Sequence, residues 1–357
     1  MENKIDILTS QAVALLKEMI AIPSPSFKED EVCSHISSWM TAKGIEHKRI
    51  GNNLLAEHIV DPGQPTLMLC AHIDTVSPCE GYSFDPYKPE NCPEGVVQGL
   101  GSNDDGASVV SMIAAYRYIM ELSTDRKIPN IILALSCEEE RSGAGGMTGL
   151  WPQLKDKVDY AIVGEPTGMK AAVSERGLLV IDATAHGVSG HAARNEGKNA
   201  LYIALEDIDT LRRYEFSKIS TKMGKVNLNV TQINAGSAHN VIPDRCDFVI
   251  DIRPTEQYSN QEILDELQKV CKSELKPRNL ANKSSATFEE SRLHAAVEKL
   301  GIETFSSATT SDWMRISCDA IKMGPGESAR SHRKDEFVYE DEIRNAIETY
   351  IQFINTL

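Results

Sequence analysis

Apolar residues recur at helical spacing over residues 11–20, and Pro23 and Pro25 close that stretch. Residues 29–42 repeat the spacing and end before Gly44, a residue suited to the left-handed turn that follows a helix. Largely apolar runs at residues 54–56, 66–70, 131–135 and 160–163 read as strands buried on both faces, and residues 107–120 as a helix among them. Strands alternating with helices predict an α/β sheet covered on both sides. A polar, proline-rich passage over residues 78–94 is expected to form a long surface loop near the functional site.

The pattern changes near residue 173. A longer, partly alternating strand over 178–185 leads to a helix over 199–213, strands over 226–232 and 245–252, and a helix over 263–271. That order predicts a small α+β sandwich with an antiparallel sheet. From about residue 284 the chain resumes the style of its first part. A length of 357 residues exceeds what one core supports. The expected organisation is therefore a discontinuous domain of residues 1–172 and 284–357, with a mixed, mostly parallel sheet flanked by helices. An inserted domain of residues 173–283 interrupts it.

Lys+Arg 37 against Asp+Glu 52 leaves a net charge of −15. Nucleic acid and anionic membrane surfaces both require a basic face, so neither is expected as a partner. A small cationic or zwitterionic substrate is compatible with the balance. No apolar run approaches the length of a membrane span, and the first residues lack the order of a secretory signal. The eight cysteines show no framework spacing and read as reduced thiols, so the cytoplasm is the expected compartment.

Five segments carry candidate chemistry. Ala71-His72-Ile73-Asp74 ends an apolar run and sets two ionisable side chains on one face of a strand. Asp74 is placed to fix the tautomer of a metal-binding His72. Asp104 follows Gly99-Leu100-Gly101, where small residues let the backbone crowd a bound group; Asp104 or Asp105 also suits the N-cap of the next helix. Glu138-Glu139-Glu140 packs like charges directly after a buried strand, an arrangement that a cation would relieve. Glu165 ends another apolar run in Gly164-Glu165-Pro166-Thr167, and His332 follows the loop Gly324-Pro325-Gly326 late in the chain. Together they supply carboxylates and imidazoles in numbers that suit two borderline-soft divalent ions such as zinc.

In order and over nearly the whole chain, these motifs resemble the di-zinc aminoacylase/carboxypeptidase family of metallopeptidases, which includes acetylornithine deacetylase and succinyl-diaminopimelate desuccinylase. The resemblance implies that Asp104 bridges two metals, zinc or alternatively cobalt. His72 and Glu165 would complete one site, and Glu140 with His332 the other. Glu139 would be the general base; shifting the frame by one residue makes Glu138 the base and Glu139 the ligand. Gly145, where the family has a small residue after the pair, selects the former. The resemblance further implies a lid and dimerisation role for the inserted domain, with His191 in Gly187-Val188-Ser189-Gly190-His191-Ala192 stabilising an oxyanion in the partner of a homodimer. Asn240, Arg253 and backbone N–H groups around Gly326 match substrate-binding positions. The expected activity is hydrolysis of an N-acyl-L-amino acid, N-acetyl-L-ornithine in arginine biosynthesis first among them. N-acyl-L-citrulline, N-succinyl-L-ornithine, succinyl-diaminopimelate and dipeptides are the rival substrates. A non-catalytic protein that kept the fold would show a broken ligand set, whereas every required residue type is present here.

Overall fold

The computed structural model describes residues 2–121, 128–194 and 196–357. The chain divides into two compact units: Met1–Val173 with Thr287–Phe305 and Ser311–Leu357, and Ser174–Ala286 with Ser306–Thr310.

In the first unit the strands lie in the order Lys48–Ile50, Asn53–His58, Asn130–Ser136, Thr66–His72, Tyr160–Val163, Asp319–Lys322. The four at the centre and right of that order run parallel, pairing His72 with Ser136, Cys70 with Val163 and Val163 with Lys322. The two at the other end pair antiparallel, so the sheet is mixed and mostly parallel. Every residue of Thr66–His72 and Asn130–Ser136 is buried, as expected of strands covered on both faces. Alternation divides their side chains. Leu67, Leu69, Leu133 and Leu135 join the core under the helices Glu2–Ile20, Asp30–Ala42, Ala107–Met120 and Glu340–Ile354. Met68, Cys70, Ile132 and Ala134 pack beneath Met147–Leu154 and Trp313.

The second unit is a two-layer sandwich. Its antiparallel sheet runs Asn227–Ala235, Arg245–Arg253, Leu179–His186, Glu274–Pro277. Leu179, Ile181, Ala183 and Ala185 point into a core with Ile203, Leu211, Ile263 and Leu267 from the helices Ala200–Arg213 and Asn260–Val270. The intervening residues of that strand are only partly buried, the mark of a sheet covered on one face. Glu274–Pro277 was not anticipated from the sequence. Among the described residues no helix is long and apolar enough to cross a membrane.

Candidate metal centre

Four neighbouring parallel strands deliver the candidate ligands from their carboxyl ends, the edge where an open α/β sheet characteristically builds its site. His72 is the last residue of Thr66–His72, the glutamate triplet follows Asn130–Ser136, Glu165 follows Tyr160–Val163, and the loop to His332 follows Asp319–Lys322. Asp104 comes from the short irregular turn of helix that precedes Ala107–Met120, entered through Gly101 at φ 77°. A side chain at Gly101 would meet Thr75, so both the dihedral and the space call for glycine.

The Asp104 carboxylate lies between two imidazoles. Its Oδ1 is 3.2 Å from His72 Nε2 and its Oδ2 3.6 Å from His332 Nε2. Glu140 Oε2 is 2.9 Å from the same His332 nitrogen. Ligand atoms of His72, Asp104 and Glu140 all lie within 4.8 Å of one another, as do those of His72, Glu139 and Glu165. Two overlapping groups of imidazole nitrogen and carboxylate oxygen form a donor set that fits two divalent ions of borderline softness. Glu138 turns away: its backbone is left-handed at φ 59° and its carboxylate accepts the Gly145 N–H at 2.8 Å.

Asp74 holds this arrangement through its backbone as well as its side chain. His72 Nδ1 is 3.0 Å from the Asp74 backbone carbonyl, and the Asp74 carboxylate is farther, at 3.5 Å. That carboxylate also accepts the backbone N–H groups of Glu139 and Glu140, at 3.0 and 3.2 Å, and the Ser26 hydroxyl at 2.7 Å. Fully buried Glu29 accepts the Glu138 N–H at 3.2 Å and the Phe27 N–H at 2.7 Å. Three consecutive amides of the triplet are thus fixed by two carboxylates. Neither Asp104 nor Asp105 caps the following helix through its side chain. Asp105 accepts the His72 N–H at 3.2 Å.

Burial dominates the electrostatics. It pushes Glu139 and Glu165 well above the ordinary carboxylate range, and the neighbouring carboxylates Glu165 and Asp312 push Glu139 further. Burial likewise raises Glu140. For His72, burial acts downward, but hydrogen bonds to Asp104 and Asp74 outweigh it and hold the imidazole well above the usual value. The hydrogen bond to Glu140 lifts His332 to about 9. A cluster that binds protons this avidly while metal-free is a cluster short of positive charge.

Several participants escaped the sequence reading. Asp312, in the Thr309-Thr310-Ser311-Asp312 run, accepts the Ser136 hydroxyl at 2.6 Å and is raised by burial to about 6. Glu336 is buried and accepts backbone N–H groups of the Asp104 turn. Glu29 and Glu336 carried no distinguishing signal, since each acts on backbone remote in sequence.

The other candidates are divided between the two units. Gly326, in the first unit, accepts the Gly168 N–H through its carbonyl at 2.6 Å. His191 and Asn240 are in the second unit, on a two-stranded ribbon in which His191 pairs with Val241 and the Ala192 N–H donates to the Asn240 carbonyl at 3.0 Å. The guanidinium of Arg253, also in the second unit, is held by both oxygens of Asp251 at 2.9 and 3.1 Å.

The chain is similar to known peptidases and deacylases. Residues 173–279 match the peptidase dimerisation domain, and residues 53–172 match peptidase family M28. Acetylornithine deacetylase of Proteus mirabilis is 27% identical, covering 91% of each chain. Succinyl-diaminopimelate desuccinylase of Wolbachia pipientis is 27% identical over 96% of this chain and 92% of that protein. The fold is shared with the aminopeptidase PepT from Bacillus cereus, with a TM-score of 0.78, 17% identity and 98% of each chain covered. It is shared also with an M20 family metallo-carboxypeptidase from Sulfolobus solfataricus, with a TM-score of 0.77, 15% identity and coverage of 96% of this chain and 98% of the other. The chain is thus similar over nearly its whole length to acetylornithine deacetylases, succinyl-diaminopimelate desuccinylases and M20 family peptidases, and it is a hydrolase.

Proposed function

We propose that the chain hydrolyses the amide of an N-acyl-L-amino acid, and that N-acetyl-L-ornithine, as an intermediate of arginine biosynthesis, is its substrate. The observation that carries the catalytic reading is the Asp104 carboxylate set between His72 and His332 with half-buried Glu139 beside His72. The choice of substrate leans on the acetylornithine deacetylase of Proteus mirabilis among the relatives and on the acidic balance of the chain, which suits a basic side chain.

In this reading His72, Asp104 and Glu165 hold one divalent ion, and Asp104, Glu140 and His332 a second, with zinc the native pair and cobalt accepted. Bound there, the ions would supply Lewis acidity toward the scissile carbonyl and raise the acidity of water. Glu139 takes a proton from the attacking water and later gives it to the departing amine. Its burial suits that work, because a carboxylate raised by desolvation accepts a proton readily. Asp74 keeps Glu139 and Glu140 in register through their amides. The two-unit organisation serves a homodimer, in which the inserted domain of one copy lends His191 to the oxyanion of the other. Asn240, Arg253 and the Gly326 loop engage the substrate carboxylate; Arg253 must then exchange its Asp251 partner for it. Eight free cysteines accord with a reducing cytoplasm.

The test is a panel of N-acetyl and N-succinyl derivatives of ornithine, citrulline and diaminopimelate, with dipeptides, offered to the zinc-loaded protein. The highest kcat/KM is expected on N-acetyl-L-ornithine. Turnover confined to succinyl-diaminopimelate, for which the Wolbachia relative is named, would refute the arginine assignment while leaving amide hydrolysis intact.

A further inference from the structure

We propose that Asn103 and Glu336 form a reciprocal clasp between two loops, and that this clasp positions Asp104 against His332 and so bears more heavily on the cation site that holds both residues than on the site that shares only Asp104. The inference rests on the di-metal reading above.

Each partner acts on the backbone of the opposite loop. Asn103 is fully buried, and its side chain is spent on the segment that leads to His332. Its Nδ2 donates to the Glu327 carbonyl and to Ser331 Oγ, each at 3.2 Å, and its Oδ1 accepts the Glu327 N–H at 2.9 Å. Glu336, 2% exposed and four residues beyond His332, returns the grip. Its carboxylate accepts the N–H groups of Gly101, Asn103 and Asp104 at 3.1, 2.9 and 2.9 Å. A bond from the Gly99 N–H to the Glu336 carbonyl at 3.0 Å closes the loop pair. Gly326 completes the fit, since at φ 80° it lies against Asn103 Oδ1 with no room for a side chain.

The same segment is braced from outside. Arg330 donates to Glu342 at 2.7 Å and lies over the rings of Phe337 and Tyr339. Asp104 and His332 therefore reach the site on loops whose separation is set by polar side chains.

The other ligands are held by different means. His72 closes a strand paired on both sides, and its Nδ1 meets the Asp74 carbonyl. Glu165 follows a strand that is itself paired on both sides. Loosening the clasp should free both Asp104 and His332 at one site, whereas at the other His72 and Glu165 stay in place and only the shared Asp104 is disturbed. Groups that orient metal ligands typically carry about a 10–100-fold effect on affinity, and here that effect should fall chiefly on the site that includes His332.

The experiment titrates zinc into metal-free Asn103→Ala and Glu336→Gln proteins by calorimetry, and repeats the titration with cobalt followed by its visible absorption. The unaltered protein is expected to bind two ions. Each variant should bind one ion about 10–100-fold more weakly and the other with a distinctly smaller loss. Equal weakening at both sites, or none at either, overturns the clasp. An unaltered protein that binds fewer than two ions strikes the di-metal reading instead. Should either variant fail to fold, Arg330→Ala, which slackens the loop from its outer side, carries the same expectation and the same refutation.

Discussion

Glu139 shows how little a side chain's identity says about its behaviour. Three adjacent glutamates are chemically alike, yet Glu138 accepts an amide at the surface, Glu140 lies against His332, and Glu139 faces the site, where desolvation and neighbouring carboxylates raise it. The difference comes from the left-handed turn at Glu138 and from the amides gripped by Glu29 and Asp74. Replacing Glu139 with Gln keeps the shape and removes the proton acceptor. Turnover is expected to fall by about 10²–10⁴-fold, while the metal content of the purified protein stays at the unaltered level. An undiminished rate in initial-velocity assays would move the base elsewhere. Asp74 carries a related lesson: its spacing from His72 was readable, but its principal work on two remote amides was not.

Segments with strong periodicity or continuous burial were legible, and weak ones were not. The helix Ala107–Met120 and the strand Tyr160–Val163 have the bounds expected from their apolar runs. The first helix extends back to Glu2 because Ile5 and Leu8 continue its buried stripe. The helix Asn260–Val270 starts earlier than its apolar spacing indicates because Ser259 and Glu262 form a capping box. Glu274–Pro277, charged and ending in proline, is a strand only through its pairing with Leu179–His186. The caps also have measurable weight. Asn199 Oδ1 accepts the Leu201 N–H at 3.0 Å at the start of Ala200–Arg213. Asn199→Ala should cost about 1 kcal/mol in urea unfolding and leave zinc stoichiometry unchanged, because the cap serves the second unit. A loss of metal binding would contradict that separation.

Across the entire chain, stability of the metal-free protein should fall as pH rises. His332 is raised from 6.5 to about 9 in the fold, so its contribution is complete below 6.5 and is lost as pH passes through about 9. Glu336 is raised by burial from 4.5 to about 7, and Glu139 and Glu165 are raised well above 4.5. A carboxylate raised by folding favours the folded state only while protonated, so these groups also withdraw support as pH climbs from 4.5 upward. Both effects have the same sign. Thermal melts of chelator-treated protein are expected to drop steadily between pH 5 and pH 9 on the order of these shifts, and zinc should flatten the slope by supplying the missing positive charge. A flat or rising profile without metal would count against the electrostatic account of the cluster.

Periodicity and residue chemistry alone settled the layered α/β architecture, the change of style in the middle of the chain, and the residue types gathered for a metal centre. They did so because burial on one or both faces of an element leaves a local trace, and because metal-binding groups are few and distinctive. Packing in three dimensions decided which glutamate of the triplet faces which histidine, that Asp74 grips amides, and that Asn103 and Glu336 tie together loops from distant parts of the chain. Those outcomes depend on hydrogen bonds between a side chain and a backbone amide far along the sequence. Every residue but proline carries such an amide, so the partner leaves no mark in the string of letters.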